Sequence, residues 1–566
     1  MNSGDRYKIT SEDYADIMLE DGITSPNGQP IPGVSNLEIN REISVAYIPV
    51  ENMTLESMNQ FGYYSVPGCF GLLSAETNPY RPVNRSVEIA NYRGKGVLLG
   101  FVDTGIDYLH PAFRNADNTS RIVSLWDQSL YSEDRYPQYF YYGTEFTREE
   151  INNALANEDP MSVVPVKDDI GHGTVMAGVA CGNINENIPF KGVAYEAELI
   201  VVKLKPPKDY LKKIYLIPDG IPCYQENDII AGVEYIRRVA RDLRKPVVFC
   251  LGLGNNIADH AGLRIGSRFY ARIGEAAGQV FVTAAGNEAN RKNHYFNDIP
   301  KEVPSDYVEL HVGAQNPGFM MQFWGVSPNF YWIDVYMPDG EFLMRIPPNE
   351  GQTLREERQN SMVISDSLIN IPSHHHQAIV FRLEKPVMGI WTFMVFGAIE
   401  DLEKKVHFWL SLHNFLPEDT YFIKPNNYTT VVGPANVLGI LTVSNYDSLT
   451  GDLDLYSSRG FTASEFPKPD IVAPGVNMTA PFPNNEYVSV TGTSVAAAYA
   501  AGVAAAVLQW GIVEGKAPYL NTPHIKRIFE ESAIRDKERS YPNESWGYGI
   551  LNIEGIASFL AAVYSK

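Results

Sequence analysis

The stretch Thr491-Gly492-Thr493-Ser494-Val495-Ala496-Ala497-Ala498-Tyr499-Ala500-Ala501-Gly502 decides how the rest of the chain is read. A glycine turn delivers a serine to the start of a run of small, helix-favouring residues. At a helix N-terminus the Ser494 hydroxyl sits among free backbone N–H groups, where the helix dipole favours developing negative charge. Two readings stand on these residues alone: an N-cap serine on an alanine-rich core helix, or a nucleophile.

Upstream segments separate the two. Val102-Asp103-Thr104-Gly105-Ile106-Asp107 follows an apolar run that reads as a buried strand ending in a carboxylate. Gly171-His172-Gly173-Thr174-Val175-Met176-Ala177-Gly178 places an imidazole at a glycine-flanked helix start. A serine hydroxyl becomes nucleophilic when a base takes its proton and a third group orients that base. Asp103, His172 and Ser494 supply the three parts, in the order used by one of the convergent triads.

These three motifs resemble those of the subtilisin-like serine proteases, the subtilases. The resemblance implies an α/β fold with a parallel sheet flanked by helices, and a serine endopeptidase with Asp103, His172 and Ser494 as its triad. It also implies that Asn287, in Thr283-Ala284-Ala285-Gly286-Asn287, donates to the oxyanion. In subtilisin itself, loss of such a donor costs about 10²–10³ in turnover. Leu251-Gly252-Leu253-Gly254 resembles the edge that pairs with an extended substrate, and Ala284, Ala285 and Gly286 belong to the same implied substrate site.

At 566 residues the chain is long enough for more than one domain. It is 45% hydrophobic and 20% charged, and no apolar run reads as long enough to span a bilayer. A net charge of −21 argues against nucleic acid and anionic membrane surfaces as partners. The start, Met1-Asn2-Ser3-Gly4-Asp5-Arg6-Tyr7-Lys8, lacks a secretory signal pattern. The four cysteines, Cys69, Cys181, Cys223 and Cys250, have no metal-ligand spacing; Cys181 and Cys250 are expected to be buried thiols. Both features fit a reducing compartment such as the cytoplasm.

Four regions follow. Residues 1–74 read as a small α/β unit, with helix candidates over 11–20 and 53–61 and a strand over 42–50. By resemblance this is a propeptide that assists folding and then blocks the cleft. Its tail is Gly68-Cys69-Phe70-Gly71-Leu72-Leu73-Ser74, with cleavage expected at Leu73 or Ser74. Residues 75–299 and 431–566 read as the two parts of the catalytic domain, because apolar strands alternate with helices. Between them, 300–430 carries short alternating strands separated by glycine, proline and asparagine turns, which predicts an inserted β jelly roll.

Two further features are read as structural. The tyrosine-rich residues 131–146 and the threonine-capped helix over 147–156 form a surface insertion whose tyrosines are expected to pack rather than contact substrate. His374-His375-His376 reads as a solvated loop, because three consecutive residues do not converge on one metal centre. No cofactor is expected, although subtilases can carry structural calcium.

The missing signal, short propeptide and inserted β domain resemble the clostridial Csp germination proteases. In that group active members process the precursor of a spore-cortex hydrolase, and others are pseudoproteases lacking triad residues. The expected partners are therefore a protein or peptide substrate and the chain's own propeptide. The competing reading is a restrained scaffold whose retained propeptide makes it a regulatory binding protein.

Overall fold

Leu98–Asp103 (β1) is buried along its whole length, as a strand at the centre of a parallel sheet should be. The computed structural model describes residues 3–20, 35–53, 65–79, 91–257, 260, 262, 264–348, 351–368, 376–399, 401–417 and 419–564. With β1 lie Ile122–Asp127 (β2), Thr144–Thr147 (β3), Glu198–Lys203 (β4), Val247–Leu251 (β5), Gln279–Ala284 (β6), Leu441–Tyr446 (β7) and Ile471–Pro474 (β8). The sheet order is β8-β7-β6-β5-β1-β4-β2-β3, and only the β2–β3 pair is antiparallel.

Successive side chains of β1 face opposite cores. Leu99 and Phe101 join the core that holds helices His172–Cys181 (α1) and Thr493–Leu508 (α4). Leu98 and Val102 join the one that holds Glu226–Asp242 (α2) and Ile265–Glu275 (α3). The expected parallel sheet with helices on both faces is thus in place, and the helices that carry His172 and Ser494 share one face.

Every residue of α4 is buried. Its small side chains allow the approach to α1: a Cβ on Gly502 would lie 2.7 Å from the Ala180 carbonyl oxygen. One expectation needs correction here. Residues Thr493–Val513 are long and apolar enough to cross a membrane, but 94% of that window is buried inside the protein.

The N-terminal unit differs from its reading. Residues Tyr14–Glu20, expected as helix, form a strand paired antiparallel with Ile43–Pro49, which also pairs with Ser35–Glu38. Ala, Met and Leu favour a helix locally, but so short a segment gains little from propensity alone. Strand pairing and the burial of Ala15, Ile17 and Met18 prevail. Most of the second expected helix, residues 54–61, lies outside the described residues.

This unit docks on the α/β core through a buried charge. Asp16, fully buried, accepts from Lys208 Nζ at 2.5 Å, Gln225 Nε2 at 2.7 Å and Asn227 Nδ2 at 3.0 Å. Burial pushes the Lys208 ammonium below its usual pKa, while Asp16 opposes that shift.

The inserted region is a β unit of two antiparallel sheets that share one apolar core. It begins with strand His294–Ile299, ahead of the expected boundary at 300, because that strand pairs with Lys404–Leu410. His294, His407 and His260 stack against Trp409 where the insert meets the α/β core. Burial holds the His260 and His294 pKa values down at about 3 and depresses that of His407 as well. His374 and His375 lie outside the described residues, and His376 sits near the Trp324 ring.

The tyrosine-rich insertion packs only in part, since Tyr131 and Tyr139 are exposed. Phe140 and Tyr142 are buried beside Trp126, and the Tyr142 hydroxyl donates to Asp228 at 2.9 Å. Thr147 caps Arg148–Leu155 in a capping box with Glu150.

Candidate active site

Asp103 ends β1, His172 opens α1 and Ser494 is the second residue of α4. Glycines bring these termini together. Gly171, at φ 89°, turns the chain into α1, and a Cβ on Gly173 would lie 2.1 Å from the Gly105 carbonyl oxygen. Only a glycine at 173 lets the helix start abut the loop that follows Asp103.

The three side chains are in sequence. His172 Nδ1 lies 2.7 Å from Asp103 Oδ1, and His172 Nε2 lies 3.2 Å from Ser494 Oγ. A carboxylate only accepts, so Nδ1 carries the proton and Nε2 is left to accept from the serine hydroxyl. All three residues are buried. Burial by itself would lower the His172 pKa, but the Asp103 charge and hydrogen bond outweigh it and hold the imidazole above its ordinary value.

Asp168, which the sequence reading missed, fastens this corner. Its Oδ1 accepts from Thr104 Oγ1 at 2.7 Å and Gly171 N–H at 2.8 Å, and its Oδ2 accepts from Thr174 N–H at 2.8 Å and Thr174 Oγ1 at 2.6 Å. One buried carboxylate thereby ties the Asp103 loop to the first turn of α1. An aspartate shortly before the helix start was the available signal.

The cleft is filled by the chain itself. Cys69–Leu72 forms the middle strand between Cys223–Gln225 and Leu253–Gly254. Leu253 pairs with Leu72 and Gly254 with Gly71, so the expected glycine-bearing edge does receive an extended segment. The opposite wall, Cys223–Gln225, was not foreseen, because nothing in its composition distinguishes it from a turn leading into α2.

Beyond this strand, Leu73 N–H donates to the Gly252 carbonyl at 3.0 Å. The Leu73 carbonyl oxygen accepts from Asn287 Nδ2. Asn287 is fixed by its other end, since Oδ1 accepts from Thr493 N–H at 3.1 Å. Of the two residues expected at the cut, Leu73 therefore has its carbonyl at the amide donor, while the backbone of Ser74 pairs with Gly492.

The remaining expected residues surround this point. A Cβ on Gly252 would lie 2.8 Å from His172 Cε1 and 3.1 Å from Ser494 Cβ, so glycine keeps the His172–Ser494 pair clear. A Cβ on Gly254 would lie 3.0 Å from Leu73 Cδ1, so glycine leaves room for the leucine side chain. Ala284 ends β6; Ala285 donates to the Val443 carbonyl at 2.9 Å and accepts from Val432 N–H at 3.0 Å. Gly286 N–H donates to Thr493 Oγ1 at 3.1 Å, which couples the Asn287 loop to α4. Val432 packs beside Gly254 and Gly286 and is a further wall residue the sequence reading missed.

All four cysteines are buried and free. Among the described residues no group of three or more His, Cys, Asp or Glu side chains is placed to hold a metal. A cavity of about 840 Å³ lies elsewhere, between the N-terminal unit and α2 and α3, where Glu38, Arg41, Arg237 and Arg272 line it.

The chain is similar to several known proteins. Subtilisin-like protease SBT1.9 of Arabidopsis thaliana is 26% identical over 477 residues, covering 74% of this chain and 58% of that relative. Subtilisin DY of Bacillus licheniformis is 29% identical over 127 residues, covering 22% of this chain and 42% of its own length. The chain thus spans about half the length of these curated relatives. The solved structure of the Clostridium perfringens CspB protease superposes with a TM-score of 0.74 at 28% identity, covering 83% of this chain and 94% of that one. The family model for the subtilase family matches residues 94–361 and 354–549. The chain belongs to the subtilase family.

Proposed function

We propose that this chain is a serine endopeptidase that cuts its own N-terminal segment between Leu73 and Ser74. One observation carries the reading: the Leu73 carbonyl oxygen accepts from Asn287 while Ser494 and His172 lie hydrogen-bonded beside it. Ser494 Oγ attacks the Leu73 carbonyl carbon, and its proton passes to His172 Nε2. Asn287 Nδ2 and the Ser494 backbone N–H hold the oxyanion, and Asp103 stabilises the imidazolium. The C–N bond then breaks as His172 returns the proton to the Ser74 amine, and water releases the acyl group from Ser494. Only this chain's own groups and water take part.

On this reading residues 1–73 are a propeptide and 294–422 an inserted jelly roll that braces the core. The buried Asp16–Lys208 contact favours a second outcome, in which the cut segment stays bound and restrains the enzyme. Resemblance to the Csp germination proteases extends the proposal to a substrate in trans, the precursor of a spore-cortex hydrolase. A fluorophosphonate probe tests the reading. Wild type should label at Ser494 once the tail is displaced, and His172→Ala should label at least a hundredfold more slowly. Equal labelling of the two would remove the triad.

A further inference from the structure

In the cleft strand, Cys69 and Leu73 face the core shared with α1 and α4, whereas Phe70 faces the opposite core. Strand alternation puts Gly71 on the same side as Leu73. Gly71 is the third residue upstream of the proposed cut, counting Leu73 as the first. Its two edges are already occupied, by Cys223 and by Gly254. A side chain there has one direction left, out of the strand, and that direction is closed. A Cβ on Gly71 would lie 2.9 Å from Leu412 Cδ1, 3.0 Å from Phe415 Cζ and 3.1 Å from Phe415 Cε1.

Both closing residues come from the β insert, just after its strand Lys404–Leu410. They are held firmly. Leu412 and Phe415 are 1% and 5% exposed, and Phe415 N–H donates to the Leu412 carbonyl at 2.8 Å. Between them, His413 donates its backbone N–H to Glu288 Oε2 at 3.0 Å and lies 2.8 Å from Glu288 Oε1 through Nδ1. Glu288 is buried and directly follows Asn287. The roof over Gly71 is thus pinned both to the insert and to the loop carrying the candidate oxyanion donor. A close-packed wall of this kind yields by tenths of an ångström, enough for a methyl group at some cost but not for a larger side chain.

We propose that Leu412 and Phe415 are specificity-determining residues that favour glycine at the third residue upstream of the scissile bond and exclude side chains larger than a methyl group. The proposal rests on the serine endopeptidase reading and deepens it. The substrate class becomes extended segments with glycine two residues before the residue at the cut, as in Phe70-Gly71-Leu72-Leu73. The insert then selects substrate as well as bracing the core.

The test uses the full chain, with self-cutting followed by intact mass over time. Wild type, Gly71→Ala and Gly71→Leu are compared, each also carrying Leu412→Ala and Phe415→Ala. Gly71→Ala should slow the cut by about tenfold and Gly71→Leu by a hundredfold or more. The widened roof should restore Gly71→Leu to within about tenfold of wild type. Gly71→Leu cutting as fast as wild type, or remaining blocked under the widened roof, would overturn the proposal. The same set in a Ser494→Ala background reads the roof without chemistry. There Gly71→Leu should lower the thermal midpoint, and the widened roof should recover most of the loss; purely additive losses would also overturn it. Should wild type fail to cut itself, the endopeptidase reading falls, while this second series still decides whether the roof excludes a side chain.

Discussion

Two units are attached to the α/β core, and each adds a different polar device to its apolar contact. The N-terminal sheet docks through a buried ion pair, Asp16 with Lys208, supplemented by Gln225 and Asn227. The β insert docks through stacked rings, with Trp409 among three histidines kept neutral by burial, beside the His413–Glu288 contact. A buried charge pair is hard to lose in part, because removing one partner strands the other. An aromatic seam tolerates packing changes but fails when its histidines gain charge. On the proposed reading the difference matches two roles: one unit has to arrive with a single register in the cleft, the other has to remain rigid beside it.

The largest effect is expected at the charged dock. Asp16→Ala leaves Lys208 buried without its partner and should destabilise the N-terminal unit by about 3–5 kcal/mol. Urea unfolding followed by proteolysis of residues 3–20 reads this, and adding Lys208→Met should recover part of the loss. Loss below about 1 kcal/mol in Asp16→Ala would mean that the contact does not hold the unit.

Acid should act on the other attachment. His260 and His294 have folded pKa values depressed to about 3, against an ordinary value of 6.5. Their contribution is fully present above 6.5 and is lost as pH falls from there toward 3. Each such histidine then costs about 1.4 kcal/mol per pH unit. The insert should therefore loosen on acidification, with the unfolding midpoint falling below pH 6.5 and His294→Gln flattening that slope. His172 moves the other way: its pKa is raised, so its neutral, base-competent form is lost at a higher pH than the seam. Ser494 labelling should decline on acidification before the unfolding midpoint does. A midpoint that falls first would reverse this ordering of the two histidine populations.

The smallest effect sharpens the comparison at the rim of the dock. The Arg6 guanidinium lies 3.9 Å from the Tyr136 ring centroid in the tyrosine-rich insertion. The same guanidinium donates to the Ser132, Glu133 and Tyr141 carbonyls, and Arg6→Ala should cost about 1–2 kcal/mol. A loss as large as that of Asp16→Ala would shift the anchor from the buried pair to this edge.

Much of this was legible in the sequence, for identifiable reasons. Asp103, His172, Ser494 and Asn287 stand in short motifs whose glycines are demanded by close backbone approach, as at Gly173 against Gly105. Strands such as Phe319-Met320-Met321-Gln322-Phe323-Trp324 declare themselves by composition and bounding turns. Tyr14–Glu20 misled because its local propensity is helical, whereas its pairing partner is remote in sequence. Val432, Leu412 and Phe415 gain their roles only by being folded against the cleft, so no local pattern marks them, whereas Asp168 had a signal in its place just before a helix start. The start of the insert at His294 was missed for the same reason: that strand is defined by pairing with Lys404–Leu410.

The central claim is that the chain's own Ser494 cuts the segment whose Leu73 carbonyl lies at Asn287. Intact mass and N-terminal sequencing of purified wild type and Ser494→Ala test it most directly. The account predicts a wild-type chain beginning at Ser74, with the released segment co-purifying, and a Ser494→Ala chain that stays joined across Leu73 and Ser74. An uncut wild type, or the same cut in Ser494→Ala, would contradict it.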